Sequence, residues 1–430
     1  MIFESRRVVV AKVLALGGSE FLNRGAIFAF SVLSARILPK EDFGSLGFAI
    51  IVAGFLWLVS DGGQTTIGIR DVAQGRREVL DVFREVTGTR LTFSLVILLA
   101  TSLGLVLEIP DWEVVWLATL FIIAQSLFPA WLFRAKRDYF GYFGAYLKVG
   151  ALFIAAIVFV TIFRSHVSDA KQFAVIRSSI WIIAAVWALR SALRLLGIPR
   201  FRDLTLRPSL NAWLSSAPLA GAGIIAGLFP LMAFLSVKAV GSATDMGDLA
   251  AMWQIQQLLL AAAAMLHVLF HPQVYSAASN TKRSVAAVAR SQFICSITFV
   301  VVAAIALVVF GNGVVARAFG QEFELSARVS MWLAIAIAGL VMRYVAEPYL
   351  ILGGRISYFP FAACGAGLAG MMLIWMSGGS IEFSIAAYAV AEVCYGACLV
   401  GMARKHGNGM VVVSLVFPLV PVIVAYFSFM

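Results

Sequence analysis

Charged residues are scarce in this chain: Asp, Glu, Lys and Arg make up 13% of its 430 residues, and 61% of them are apolar. A soluble domain carries about 25% charged and about 45–50% apolar residues. No segment is polar enough to form a separate soluble domain, so the surplus of apolar side chains must face lipid. The sequence therefore predicts a polytopic membrane protein.

Cysteine and histidine are also rare, with four of each. The cysteines lie in apolar segments and lack the paired spacing of zinc ligands or of a disulfide framework. His267 and His271 are four residues apart, a spacing that suits a metal, but no carboxylate lies close in sequence. Packing or an interfacial position is the favoured interpretation for both. No P-loop pattern occurs, which disfavours ATP hydrolysis by this chain, and no cofactor is expected.

What the chain has in abundance is apolar runs long enough to span a bilayer as helices. Twelve such runs predict an all-α membrane protein; they cover residues 8–37, 44–68, 86–107, 112–133, 140–163, 173–196, 211–238, 248–271, 285–310, 326–352, 357–377 and 381–402. A thirteenth run, 410–428, contains Pro418 and Pro421 and is either a kinked span or partly re-entrant. Glu20 and Arg24 interrupt the first run, which favours a retained helix over a cleaved signal peptide.

The positive charge of the chain, +11 at pH 7, has a topological explanation. With a cytoplasmic N-terminus, most Lys and Arg residues fall on the inner side, which is the usual bias of membrane proteins. On this assignment Arg90 belongs to an inner connection and Arg177 to an outer one. The connections are short, and a membrane glycosyltransferase, polymerase or ligase with a large catalytic outer loop is disfavoured.

Eight charged residues remain within the predicted spans. They are four bases, Lys12, Arg24, Lys148 and Arg343, and four acids, Glu20, Asp61, Glu347 and Glu392. A charge in the middle of a spanning helix is costly and usually faces a protein interior or a water-filled cavity. These eight are therefore the candidate functional residues.

Two of the embedded pairs, Glu20 with Arg24 and Arg343 with Glu347, have i,i+4 spacing and can meet on one helix face. In each pair, either the two charges neutralise each other and fix the packing of the helix, or the pair lines a hydrated cavity and contacts a charged substrate. Lys148 has no such partner on its own helix, and it either contacts a substrate anion or forms a salt bridge to another helix. Asp61 lies in the stretch SDGGQ, where capping of the glycine turn is favoured.

Three stretches in the N-terminal third resemble bacterial polysaccharide flippases, the Wzx-like branch of the MOP superfamily. They are SARILPKEDFGSLGFAI (34–50), DGGQTTIGIRDVA (61–73) and PAWLFRAKRDYFGYF (129–143). In this family the corresponding stretches are an outer turn, the end of the second helix and a turn between the fourth and fifth helices. The C-terminal half is similar to the family in helix layout alone.

The resemblance implies two six-helix lobes, 1–202 and 203–403, around a central cavity, followed by a C-terminal hydrophobic segment, 404–430. It implies that the protein is no enzyme. It would flip undecaprenyl-diphosphate-linked oligosaccharide repeat units across the bacterial inner membrane for surface polysaccharide synthesis. The implied partners are this lipid-linked substrate, membrane lipids, a polysaccharide polymerase and a chain-length regulator, with no nucleic acid.

On this interpretation Arg24, Lys148 and Arg343 would attract phosphate or acidic sugar. The acids Glu20, Asp61, Glu347 and Glu392 would tune those cations or bind a coupling ion. An ion-coupled drug exporter on the same fold is the alternative, and it would use acids in the cavity to bind cations.

Overall fold

A computed structural model describes the backbone of residues 6–404, apart from 74, 76, 137, 199–204, 281, 324–325, 353–358 and 377–379. Side chains are described for the same residues except 6–17, 20, 73, 262, 264–269, 271–280, 282–287, 348, 351–352, 374–376 and 403–404. The side chains of Lys12, Glu20, His267 and His271, and the whole of the predicted segment 404–430, lie outside the described residues.

The chain divides into two compact units, the first ending at Gly227 and the second beginning at Leu228. The predicted lobe boundary at 202/203 stays a prediction. The first unit contains the helices α1 (Arg6–Ile37), α2 (Lys40–Asp61), α3 (Gln64–Ala73), α4 (Val79–Val106), α5 (Trp112–Thr119), α6 (Phe121–Leu127), α7 (Ala130–Ala135), α8 (Tyr139–Ile162), α9 (Ala170–Leu195) and α10 (Leu210–Ser215). The division falls within α11 (Ala217–Val240), and the second unit continues with α12 (Ala243–Asn280), α13 (Lys282–Ala318), α14 (Ala327–Leu352), α15 (Phe359–Met376) and α16 (Ile381–Arg404).

Each of the twelve predicted apolar runs overlaps helix, and no strand occurs among the described residues. In that part of the chain, nine helical segments are long and apolar enough to cross a bilayer. Their outer surfaces carry large exposed apolar side chains, including Leu99, Val106 and Val309. Lipid covers such surfaces, while the helical backbone satisfies its own polar groups. The all-α membrane fold is confirmed.

Two predicted spans differ from the helices that form. The run 44–68 is broken because α2 ends at Asp61, where Gly62 takes the left-handed conformation (φ 52°) and closes the helix by bonding to Leu58 O. The run 112–133 forms three shorter helices, and the break between α6 and α7 lies at Phe128 and Pro129. Proline lacks the amide hydrogen that would continue a helix, which explains the second break.

The connector that follows α9 in sequence, residues 205–216, docks onto α2, α3 and α4. Gln64 Nε2 donates to Ala212 O and to Ser216 Oγ, both at 2.8 Å, and Ser209 N donates to Thr89 Oγ1 at 2.9 Å. A Cβ atom on Gly88 would lie 2.9 Å from the backbone nitrogen of Arg207. The connector is therefore part of the packed first unit.

In the second unit, glycine allows two helices to approach closely. A Cβ atom on Gly339 of α14 would lie 2.6 Å from the backbone of Glu392 and Val393 in α16, and one on Gly396 would lie 2.6 Å from Gly339 O. Small residues at a helix crossing are the usual means of close packing in membranes, where van der Waals contact drives association. This crossing positions the charged residues described next.

Candidate functional site

Arg24 and Arg177 form a pair of like charges inside the first unit. Arg24 lies in α1, and Arg177 lies in α9 seven residues after its first residue, Ala170, or about 10 Å along the axis. The charge of Arg24 acts directly on Arg177. Both side chains are half-buried. Two cationic side chains therefore act on each other inside the first unit.

Aromatic side chains pack on the same two helices. The ring of Phe30 in α1 lies 5.7 Å from that of Phe173, one turn before Arg177, and 5.5 Å from that of Phe153 in α8. One turn after Arg177, Trp181 packs 6.4 Å from Phe153, and its buried Nε1 has no hydrogen-bond partner among the described residues. Aromatic pairs of this kind stabilise the packing of α1, α8 and α9 against one another.

Lys148 lies elsewhere in the first unit. Its Nζ donates to Ser191 Oγ at 3.1 Å and lies 5.0 Å from the centre of the Trp187 ring, which is 51% exposed. Its charged neighbour is Arg194. These α9 residues follow Arg177 by 10 to 17 positions, or about 15–25 Å along the helix. The structure does not bring Lys148 to the pair of arginines.

Asp61 joins the end of α2 to α4. Its Oδ1 accepts from Thr65 Oγ1 at 2.5 Å, across the glycine turn, and lies 3.4 Å from Arg90 Nε. Arg90, whose side chain is 3% exposed, also donates to Gln125 O and lies 4.4 Å from the centre of the Trp57 ring. Asp61 thus stabilises the turn, as expected, and neutralises a buried arginine as well.

In the second unit, Arg343 pairs with Glu392 across the α14–α16 crossing. Arg343 Nη1 lies 3.6 Å from Glu392 Oε2, and the two side chains are 20% and 3% exposed. The guanidinium also lies 5.5 Å and 5.6 Å from the ring centres of Tyr344 and Tyr395. Glu347, the i,i+4 partner expected from the sequence, is a weaker charged neighbour than Glu392.

Two embedded arginines were assigned wrongly from the sequence. Arg90 lies eleven residues into α4 and Arg177 seven residues into α9, so neither belongs to a connection. Both lie inside the predicted spans 86–107 and 173–196, so the sequence alone was sufficient to count them among the embedded charges. They were missed because every arginine near the end of a span was assigned to the water-facing side.

Within the part of the chain that the structure describes, no group of three or more His, Cys, Asp or Glu residues could hold a metal ion. The described contacts of the embedded charges are cation–anion pairs, cation–π contacts and hydrogen bonds.

Comparison with known proteins identifies the family. The sequence profile of the family described as "Polysaccharide biosynthesis protein" matches residues 9–270, more than half of the chain. This protein belongs to the polysaccharide biosynthesis protein family. The predicted resemblance is thereby confirmed. No curated protein matches the sequence closely enough to add to this.

Solved structures similar to this family member are MOP superfamily transporters. One is an inward-facing multidrug resistance MATE family transporter, with 10% identity and a TM-score of 0.63, covering 93% of this chain and 98% of that one. A mutant of the Vibrio cholerae MATE transporter VcmN has 13% identity and a TM-score of 0.61, covering 93% and 97%. A MOP superfamily transporter from Pyrococcus furiosus has 11% identity and a TM-score of 0.61, covering 93% of this chain and 96% of that one. That transporter is described as having a binding pocket of reverse polarity, which suggests a different function for it.

Family and fold together define the class of this polysaccharide biosynthesis protein. It is a multi-pass membrane protein of this family, and its fold is that of MOP superfamily transporters. The identities are too low for the similar structures to indicate a substrate, so the charges of the chain itself must do so.

Proposed function

We propose that this protein flips undecaprenyl-diphosphate-linked oligosaccharide repeat units from the inner to the outer leaflet of the bacterial inner membrane, by alternating access. The observation that carries the proposal is the match to the polysaccharide biosynthesis protein family. The two arginines inside the first unit, Arg24 and Arg177, whose charges act on each other, support an anionic substrate.

Two neighbouring arginines within apolar helices favour an anionic ligand. Guanidinium groups stay charged at any physiological pH, so both arginines present positive charge to a ligand. A phosphate group accepts bidentate hydrogen bonds from guanidinium groups. The diphosphate of the substrate is therefore assigned to Arg24 and Arg177, while the lipid tail stays in the bilayer.

The remaining embedded charges have secondary roles in this proposal. Arg343 contacts a second anionic group of the substrate in the second unit. Lys148, whose described contacts lie 15–25 Å or so from Arg177 along α9, attracts the substrate near the membrane surface. Glu20, Asp61, Glu347 and Glu392 tune these cations or take part in ion coupling.

The alternative is an ion-coupled exporter of drugs or other small molecules. The names of the similar MATE structures favour it. The charges do not, because Asp61 and Glu392, two of the acids that would bind a cationic drug, are each paired with an arginine. The reversed pocket polarity of the Pyrococcus furiosus transporter is a precedent on this fold for a different function.

Deletion of the gene tests this function. We expect the deletion strain to lose a surface polysaccharide and to retain lipid-linked repeat units in the inner leaflet, with wild-type drug susceptibility. Re-expression of the protein should restore the polymer. Repeat units that accumulate in the outer leaflet would instead indicate a defect in polymerisation, and increased drug susceptibility with normal polysaccharide would indicate the exporter.

A further inference from the structure

Two basic side chains meet on the surface of the first unit, where the start of α8 lies beside the end of α9. Lys148 lies nine residues after Tyr139, the first residue of α8, and Arg194 lies in the last turn of α9. Lys148 Nζ donates to Ser191 Oγ at 3.1 Å, and the charge of Arg194 acts on Lys148. Lys148, Ser191 and Arg194 form a basic surface that the two helices share.

The charge of the basic surface is not neutralised within the described part of the chain, where neither Lys148 nor Arg194 pairs with a carboxylate. An ammonium has three N–H donors, and a guanidinium side chain has five. Among the described residues, Ser191 accepts one of the Lys148 donors and no side chain accepts from Arg194. Arg90, by contrast, has Asp61 as its partner. The remaining donors of the basic surface are left for an external acceptor.

Apolar side chains surround the two bases and indicate what covers them. Leu147, next to Lys148, is 43% exposed, and Ile183 and Val186 of α9 are 53% and 46% exposed. In a membrane span, exposed apolar side chains of this kind are covered by lipid. The exposed Trp187 ring lies 5.0 Å from Lys148 Nζ, and tryptophan beside a base is typical of the level at which hydrocarbon gives way to lipid head groups. A lipid on this surface therefore places its head group at the two bases.

The charges of the basic surface decide which lipid fits it. Phosphate oxygens accept hydrogen bonds from an ammonium and, in pairs, from a guanidinium. A zwitterionic phospholipid also brings its own cation, which would lie against Lys148 and Arg194 without a described carboxylate to accept it. An anionic phospholipid such as phosphatidylglycerol brings hydroxyl groups instead. Basic pockets between spanning helices bind anionic head groups in this way.

We propose that the basic surface of α8 and α9 binds the phosphate of an anionic phospholipid, with Lys148 and Arg194 as the residues that contact it. The acyl chains of this lipid lie on the apolar side chains just described, and Trp187 lies beside its glycerol group. The inference does not rest on the proposed function, because it concerns a lipid of the surrounding membrane. A lipid-linked substrate that Lys148 attracts would have to displace this phospholipid.

Native mass spectrometry of the full chain, purified in detergent and freed of lipid, tests the proposal with phosphatidylglycerol and phosphatidylethanolamine of identical acyl chains. The wild type should bind one phosphatidylglycerol molecule more tightly than phosphatidylethanolamine. Lys148→Gln and Arg194→Gln should each raise the Kd for phosphatidylglycerol about fivefold, the effect of one base near an anionic head group. The Kd for phosphatidylethanolamine should stay unchanged.

Two variants control for charge and for folding. Arg164→Gln removes an exposed base that lies just beyond the other end of α8, and it should keep the wild-type Kd for phosphatidylglycerol. Lys148→Arg keeps the positive charge and should keep most of the binding, which separates loss of the charge from loss of the fold.

Trp187 provides a local signal for the same site. Bromine atoms on an acyl chain quench the fluorescence of tryptophans that they contact. In nanodiscs, brominated phosphatidylglycerol should quench the wild type more than brominated phosphatidylethanolamine does. Trp187→Phe and the double variant Lys148→Gln/Arg194→Gln should both lose this difference.

Three results would overturn the proposal. The first is an equal Kd of the wild type for the two phospholipids. The second is an equal loss of phosphatidylglycerol binding in Arg164→Gln, which would indicate attraction by the overall charge of the protein. The third is tighter binding of undecaprenyl diphosphate than of phosphatidylglycerol, with the loss in Lys148→Gln and Arg194→Gln confined to the former, which would assign the basic surface to the transported substrate.

Discussion

Arg24 and Arg177 occupy helices that are otherwise apolar, and each raises the electrostatic energy of the other. Arg90 is the contrasting case, because Asp61 lies 3.4 Å from it and a carbonyl and an indole ring complete its surroundings. Asp61 therefore makes Arg90 a structural element of the fold. In the function that we propose, Arg24 and Arg177 form a site that an anion stabilises.

This contrast leads to a prediction for the two arginines. Arg24→Ala and Arg177→Gln should each reduce polymer export about tenfold or more, since a charge-assisted contact to phosphate contributes at least about 1.4 kcal/mol. Arg24→Lys and Arg177→Lys should retain part of the export, because lysine keeps the positive charge but lacks the planar guanidinium that binds phosphate through two hydrogen bonds. Surface polysaccharide of complemented deletion strains, normalised to the amount of protein in the membrane, is the measurement.

Arg190→Gln is the matched control, because it removes an exposed arginine from the same helix as Arg177. Its export should equal that of the wild type. Normal export by Arg177→Gln at normal abundance would remove Arg177 from the site and with it the main support for an anionic substrate.

At the scale of elements, the α14–α16 crossing sets the geometry of the second unit. Gly339→Ala should lower the free energy of unfolding by about 1–3 kcal/mol, because its Cβ would overlap the backbone of Glu392 and overpacking has costs of this size. The strain should also separate Arg343 from Glu392. Thermal unfolding of the purified protein measures the first effect.

Gly401→Ala is the control for this substitution, since it lies in α16 with open space around its Cβ position. It should leave the stability unchanged or raise it slightly, because alanine favours helix over glycine. Equal stability of the two variants would show that α14 and α16 can move apart without a loss of stability, contrary to the tight crossing described above.

For the whole molecule, the distribution of Lys and Arg predicts a cytoplasmic N-terminus. A reporter fused after Arg202 should therefore report from the cytoplasm, and one fused after Asp245 from the outside. Alkaline phosphatase and green fluorescent protein fusions, which are active on opposite sides of the membrane, measure this. Inverted activity at either position would reverse the direction of transport that we propose.

Much of the fold followed from local properties of the sequence. Apolar runs of spanning length become helices because the bilayer leaves the backbone no other way to satisfy its polar groups. Each predicted run accordingly contains helix, and the errors fall at Gly62 and Pro129, where single residues end a helix. The membrane class, the embedded charges Arg24 and Arg343, and the family resemblance were likewise available from the sequence alone.

The partners of those charges were decided by tertiary structure. Spacing of four residues suggested Glu347 for Arg343, yet the glycines of the crossing bring Glu392 closer from another helix. Lys148, without a partner on its own helix, contacts Ser191, and Arg24 meets Arg177 from a helix more than a hundred residues later. Periodicity describes one helix at a time. Which faces meet depends on small residues and on packing between helices, and these contacts determine whether a buried charge is neutralised or forms a binding site.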